Sequence, residues 1–311
     1  MRKPRVLPVA SSTGPGHADG VLTMRRLLVS CLLLASLLLM LTGCASHKKD
    51  TIAGAPNVSG RRKLNPGELP GDKTIKNPEV AYNLALEFAG QRNMEAAHHY
   101  IDLAIKLQPQ AKYTYAKGLF YLSEKHFKEA IGMFDQALKQ GPGTQDNRLA
   151  ILNAEGVCYM ELEQDEKALD LFRQVVNAPG TFSRFESYYN MGVIYLREKK
   201  YLDAEAVFNK VIDENPNFYR AYNKLGILQG MKGRWSDAAI SFKKALDLIS
   251  MDYSAQQTDG AEIYCNYGEA LFQEKLYPQA KDALLKVLGI APEGFWGQKA
   301  KSLLAQMGFT G

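Results

Sequence analysis

From residue 78 to the C-terminus, the same small and aromatic residues return about every 34 positions, and this repetition constrains the fold more than any other feature. The units begin at Pro78, Ala111, Leu149, Phe185, Tyr219 and Ala261. Counted from each start, the eighth position holds Ala85, Gly118, Gly156, Gly192, Gly226 and Gly268. The twentieth holds Ala97, Ala130, Ala168, Ala204, Ala238 and Ala280. The twenty-fourth is Phe134, Phe172, Phe208 and Phe242 in units two to five and Leu284 in the sixth. Each unit reads as two helices, A and B. The small residues let A and B approach closely, and the aromatic positions fill the gaps between units. Pro109, Pro142, Pro216 and Pro292 follow helix B, where a missing N–H and a fixed φ end a helix. One unit cannot bury its apolar face alone, so the units must stack into a continuous core.

This spacing resembles the tetratricopeptide repeat (TPR). The resemblance implies an all-α, right-handed superhelix, an α-solenoid of six helix-turn-helix units over 78–110, 111–148, 149–184, 185–218, 219–260 and 261–292. A capping helix over Gly297 to Met307, within 293–311, is expected to close the open end. Starts two and three are 38 apart, and starts five and six are 42 apart. The extra residues fall in Gly141 to Asn147 and Ser250 to Asp259, where loop insertions are expected.

The N-terminus carries a separate signal. Arg25 and Arg26 precede an apolar run from Leu27 to Leu41, which ends in Leu41-Thr42-Gly43-Cys44. A basic start, a short apolar stretch and small residues before a cut make a secretory signal peptide over 24–43. The run is shorter than the roughly 20 residues a spanning helix needs. Leu41, Thr42, Gly43 and Cys44 resemble the bacterial lipobox, which implies cleavage before Cys44 and acylation of its thiol and new amine. Ala45 in place of Asp implies, under the rule for such lipoproteins, transfer to the outer membrane with the body facing the periplasm. Two lipid signals already suffice for stable anchoring. Residues 1–23, with Pro4, Pro8 and Pro15, are unlike a signal-peptide start and read as a disordered leader or a misassigned start, with Met24 the other candidate. From Ala45 to Asn77 the chain is polar and rich in Gly and Pro, a flexible linker spanning about 30 Å. Its Arg61, Arg62 and Lys63 read as solvated linker before lipid contacts.

The net charge of +5 belongs to these N-terminal segments, leaving the repeats mildly acidic, so nucleic acid is not an expected partner. Of four cysteines, Cys31 lies in the signal peptide and Cys44 in the lipobox. Cys158 and Cys265, three repeats apart, read as free, half-buried thiols. No hydrolase, phosphate-loop or zinc motif occurs, so no enzyme, metal, cofactor or small-molecule substrate is expected. Gly230-Met231-Lys232-Gly233 falls where the fifth unit needs its A–B turn, and His98 and His99 read as surface or partly buried residues of a B helix.

What the array offers is a groove lined by the A helices. Its predicted lining is Tyr82 and Leu86 in the first unit, Tyr115, Leu119 and Leu122 in the second, and Asn153, Val157 and Met160 in the third. Tyr189, Val193 and Leu196 continue it in the fourth unit, Asn223 and Ile227 in the fifth. An apolar, aromatic strip open to water is an interaction surface, and Asn153 and Asn223 could grip a partner's backbone through paired donors and acceptors. The Lys/Arg and Asn set that clamps a C-terminal carboxylate is missing, so a C-terminal tail is not favoured.

A lipobox, a linker and six repeats together resemble the pilotin family of type IV pilus biogenesis and stability proteins over residues 24–311. The resemblance implies a lipoprotein that helps secretin subunits reach the outer membrane and assemble, with Cys44 supplying the membrane sorting and the groove holding a secretin segment. Two other readings stand beside it. One is an adaptor for another envelope machine, such as peptidoglycan hydrolase control or outer-membrane β-barrel assembly; the other is an enzyme or small-ligand carrier on the same frame.

Overall fold

A computed structural model of the chain describes residues 75–179, 184–250 and 252–309. The signal peptide, the lipobox with Cys44, and linker residues up to 74 lie outside the described residues, as does the side chain of Tyr253. Among the described residues there are fourteen helices and no strand. The six A–B pairs are α1 (Pro78–Gly90) and α2 (Met94–Leu107), α3 (Ala111–Ser123) and α4 (Phe127–Gln140), α5 (Gln145–Glu161) and α6 (Asp165–Asn177), α7 (Phe185–Arg197) and α8 (Tyr201–Glu214), α9 (Tyr219–Met231) and α10 (Trp235–Ile249), and α12 (Gly260–Gln273) and α13 (Tyr277–Ile290). A short α11 (Tyr253–Thr258) precedes the sixth pair, and α14 (Phe295–Gln306) follows it.

Each B helix packs on its own A helix and on the A helix of the next unit. Three pairs of successive A helices also touch directly, α3 with α5, α5 with α7 and α9 with α12, and no pair of successive B helices packs as closely. The A helices are therefore the inner row of an all-α solenoid.

The core follows the repeat. Phe134, Phe172 and Phe208 are fully buried, and Phe242 nearly so, each against the glycine at position eight of its own unit. The twenty-fourth residue thus fills the crevice inside a unit. The A–B turns are equally regular. Position fifteen has positive φ in every unit: Arg92, Lys125, Glu163, Lys199 and Lys275 near +60°, and Gly233 at +72°. In the second unit the amide of Lys125 donates to Leu122 O (3.0 Å) and that of His126 to Tyr121 O (2.8 Å), which is the Schellman geometry.

Both insertions are more ordered than the loops expected from sequence. The third A helix starts at Gln145, one turn before Leu149, because Thr144 Oγ1 accepts from the amide of Asn147 (3.1 Å) and so caps it. The second insertion contains α11, capped by Asp252 Oδ1 on the amide of Ala255 (3.0 Å), and Gln256 Nε2 donates to the carbonyls of Ile249 and Ser250 that end α10. The closing helix α14 begins at Phe295 and ends at Gln306. Cys158 and Cys265 are free, but each is fully buried rather than half-buried. Burial pushes the Cys265 thiol up to about 12 and that of Cys158 higher still, so neither supplies a thiolate.

Candidate protein-binding face

The inner row carries its charge at the second position of the units, in the first turn of the A helix for Glu79, Lys112, Glu186, Arg220 and Glu262, whereas the third unit has Ala150 there. Most of these charges are paired along the row. The Glu79 carboxylate accepts from Lys112 and from the Tyr113 hydroxyl, and these bonds hold its pKa below the usual range. Arg220 Nε donates to Asp259 Oδ2 (3.1 Å), which also accepts from the Tyr219 hydroxyl (2.5 Å). Glu262 Oε1 accepts from Asn223 Nδ2 (2.9 Å) and lies 3.5 Å from Lys224 Nζ. Lys224 is buried; burial works against its charge, but the Glu262 carboxylate outweighs it and its pKa stands above the usual value.

The predicted groove residues divide by burial. Tyr82, Leu86, Tyr115, Asn153, Val157, Val193, Leu196 and Ile227 are half-buried and reach the inner surface. Leu119, Leu122, Met160, Tyr189 and Asn223 are buried, covered by adjoining helices. Tyr189 is the clearest case. Its ring centroid lies 5.2 Å from that of Phe218 and 6.0 Å from that of Phe208, and it is 1% exposed, so it belongs to the core. The two asparagines are also partly committed. Asn153 Oδ1 accepts from the Ser187 hydroxyl (2.7 Å), and Asn223 has spent its amide donor on Glu262, leaving Oδ1 buried without a partner. The paired grip expected of each is thus reduced to one half. The predicted lining residues did not include those of the charged second position, although that position lies on the same face of the repeat.

Glu186 and Tyr115 of the A helices make no side-chain hydrogen bond among the described residues, although the Tyr115 ring lies 5.7 Å from that of Phe134. Glu186 is half-buried, and burial alone raises its carboxyl pKa. Tyr115, also half-buried, has its phenol pushed up by burial and then by the Glu186 carboxylate. His98 is engaged outside the inner row: its Nε2 lies 2.6 Å from Glu124 Oε2, and its ring lies tilted, 4.8 Å between centroids, against Tyr121. Among the described residues no group of three or more His, Cys, Asp or Glu side chains could hold a metal, and no helix is long and apolar enough to cross a membrane.

Sequence patterns described as tetratricopeptide repeat match residues 82–144, 185–218 and 261–293. The chain is a TPR solenoid. Among solved structures it is similar to PilW, described as a widely conserved type IV pilus biogenesis factor, at TM-score 0.60 and 18% identity, covering 71% of this chain and 96% of PilW. It is similar to PilF of Pseudomonas aeruginosa at TM-score 0.61 and 17% identity, covering 72% and 96%. At these identities the likeness is one of fold. Protein NPGR1 of Arabidopsis thaliana is 24% identical over 231 residues, 69% of this TPR chain but 32% of NPGR1. The chain thus spans about a third of that curated relative's length.

Proposed function

We propose that this chain is an outer-membrane lipoprotein whose TPR array acts as an adaptor in type IV pilus assembly, its inner face holding a segment of the secretin. The observation that carries the reading is the order Leu41-Thr42-Gly43-Cys44, linker, six-unit solenoid. It joins a lipid-attachment sequence to an array built to bind protein. The fold likeness to PilW, over nearly the whole of that pilus biogenesis factor, supports the choice of machine. The half-buried apolar side chains of the A helices, Leu86, Val157, Val193 and Ile227, suit an extended polypeptide.

The deciding experiment is affinity purification of the full chain from detergent-solubilised envelopes, read by mass spectrometry. Secretin and pilus components dominating the eluate is the expected result. Peptidoglycan hydrolases or barrel-assembly proteins in their place would move the adaptor to another envelope machine.

A further inference from the structure

The first and last units of the array expose different surfaces. In units two to six the third residue is buried: Tyr113, Ile151, Ser187, Ala221 and Ile263. Each lies on an A helix that receives the B helix of the unit before it. In the first unit that residue is Val80, 46% exposed, and Leu84 one turn on is half-buried. Position twenty-six is Leu103 in the first unit and Gln or Lys in each of the others. Position twenty-six meets position four of its own unit, as Lys210 over the Tyr188 ring (5.1 Å) and Lys286 over the Tyr264 ring (5.1 Å) show. By that register Leu103, half-buried, falls beside the edge of α1 that carries Val80. Solenoid ends normally turn a polar face to water. Helix α14 does so at the other end, with Gln298, Lys301 and Ser302 exposed, whereas α1 presents Val80 and Leu84.

Two charges on this face decide what covers it. Position ten is buried and apolar in units two to six, from Phe120 to Ala270, but in the first unit it is Glu87, exposed in the last turn of α1. Its carboxylate accepts from Gln91 Nε2 of the same helix (3.4 Å). A further B helix stacked here would bury that charge, which is costly unless a cation meets it. Lys76, also exposed, lies just before the other end of α1. Helix period puts Val80, Leu84 and Glu87 on one stripe, with Lys76 one turn before Val80. An acid near a helix C-terminus and a base near its N-terminus both oppose the helix dipole. An antiparallel copy of α1 removes both conflicts, because it brings Glu87 to the partner's N-terminus and Lys76 to the partner's C-terminus. The register agrees. Val80 and Leu84 are centred on Tyr82, and Lys76 and Glu87 between Ala81 and Tyr82, so one two-fold axis sets both pairs level. We infer that this end face pairs with the same face of a second copy, α1 antiparallel to α1, with Val80 against the partner's Leu84 and Lys76 beside the partner's Glu87. Such a contact is isologous and closes as a dimer. Two helices about 20 Å long present a small area, in the range of reversible rather than permanent pairs. The inference does not depend on the inner face.

The test is sedimentation equilibrium of the full chain in a density-matched detergent, with micelles in large excess so that shared micelles do not mimic pairing. The wild-type chain is expected to dimerise reversibly as its concentration rises. Val80→Glu is expected to raise the dimer dissociation constant by about tenfold or more, as loss of a central apolar contact does. Lys76→Glu and Glu87→Lys are each expected to raise it about fivefold, because both copies change at once, and the combined variant to restore the wild-type value. Each charge change suits the dipole of α1, so the melting temperature should hold. A chain that stays monomeric at every concentration, a dimer indifferent to Val80→Glu, or charge changes that the combination fails to reverse would overturn the inference. A monomer that instead retains a co-purified protein, lost with Val80→Glu, would give the face to that protein and overturn it equally.

Discussion

The ring of Phe208 lies across Gly192, so that a Cβ at Gly192 would fall 2.5 Å from Phe208 Cε1. Phe134 on Gly118, Phe172 on Gly156 and Phe242 on Gly226 repeat the relationship, and Leu284 on Gly268 replaces the ring with a smaller side chain. Gly192→Val is expected to cost about 2 kcal/mol or more, since overpacking here must displace a fully buried ring. Combined with Phe208→Leu, it should cost less than the sum of the two single changes, because both act on one contact. Chemical denaturation of the four proteins measures the coupling; strict additivity would refute the contact.

At the A–B turns, five units hold a non-glycine residue in the left-handed region and the fifth uses Gly233. Gly233→Ala is expected to destabilise by about 1 kcal/mol, the cost of a side chain at that φ. Lys199→Gly should be neutral or mildly stabilising, because relieved strain offsets added chain entropy. Thermal melts of both variants compare the two turns directly.

Glu155 is 6% exposed, on the A helix of the third unit. One unit earlier the same register is occupied by Lys117, which pairs with Asp102 at 2.6 Å; at Glu155 the facing residue is Asp135. Burial first, and Asp135 second, push the Glu155 carboxyl up to about 7. A carboxyl raised on folding favours the folded state while protonated, so its contribution is complete below about pH 4.5 and is lost as pH rises through 7. Glu155→Gln is expected to melt a few degrees higher than wild type at pH 8 and equally at pH 4. An equal difference at both pH values would show that the charge is not the cause.

Tyr115 and Tyr189 share the fifth position but not the same environment. Tyr115→Ala is expected to weaken partner binding by about tenfold or more, as loss of an aromatic anchor does, with the melting temperature nearly unchanged. Tyr189→Ala should destabilise the fold by about 3 kcal/mol, on the scale of a large aromatic removed from a core. Binding and melting curves for the pair separate groove from core.

Cys44→Ser is expected to leave the repeat fold intact, by circular dichroism, while removing the protein from the outer-membrane fraction. Persistence of the variant in that fraction would defeat the lipobox reading.

The repeat was legible in the sequence because stacking enforces it. Position eight must be small and position twenty-four large for helices A and B to close, and no unit can hide its apolar face without its neighbours. The inner row was legible for the same reason, since helix period puts positions two, five and nine on one face. Which of those residues meet a partner was decided only by the tertiary structure. Tyr189 is buried because Phe218, at the end of its own unit, closes over it, while Tyr115, its counterpart two units earlier, stays half-buried. Arg220 is paired with Asp259, which the insertion before the sixth unit brings onto it from 39 residues downstream. Periodicity fixes which face a side chain takes within its own helix. Its burial and its charge partner depend on residues that unit ends, insertions and stacking bring in from outside that helix, and those the period does not specify.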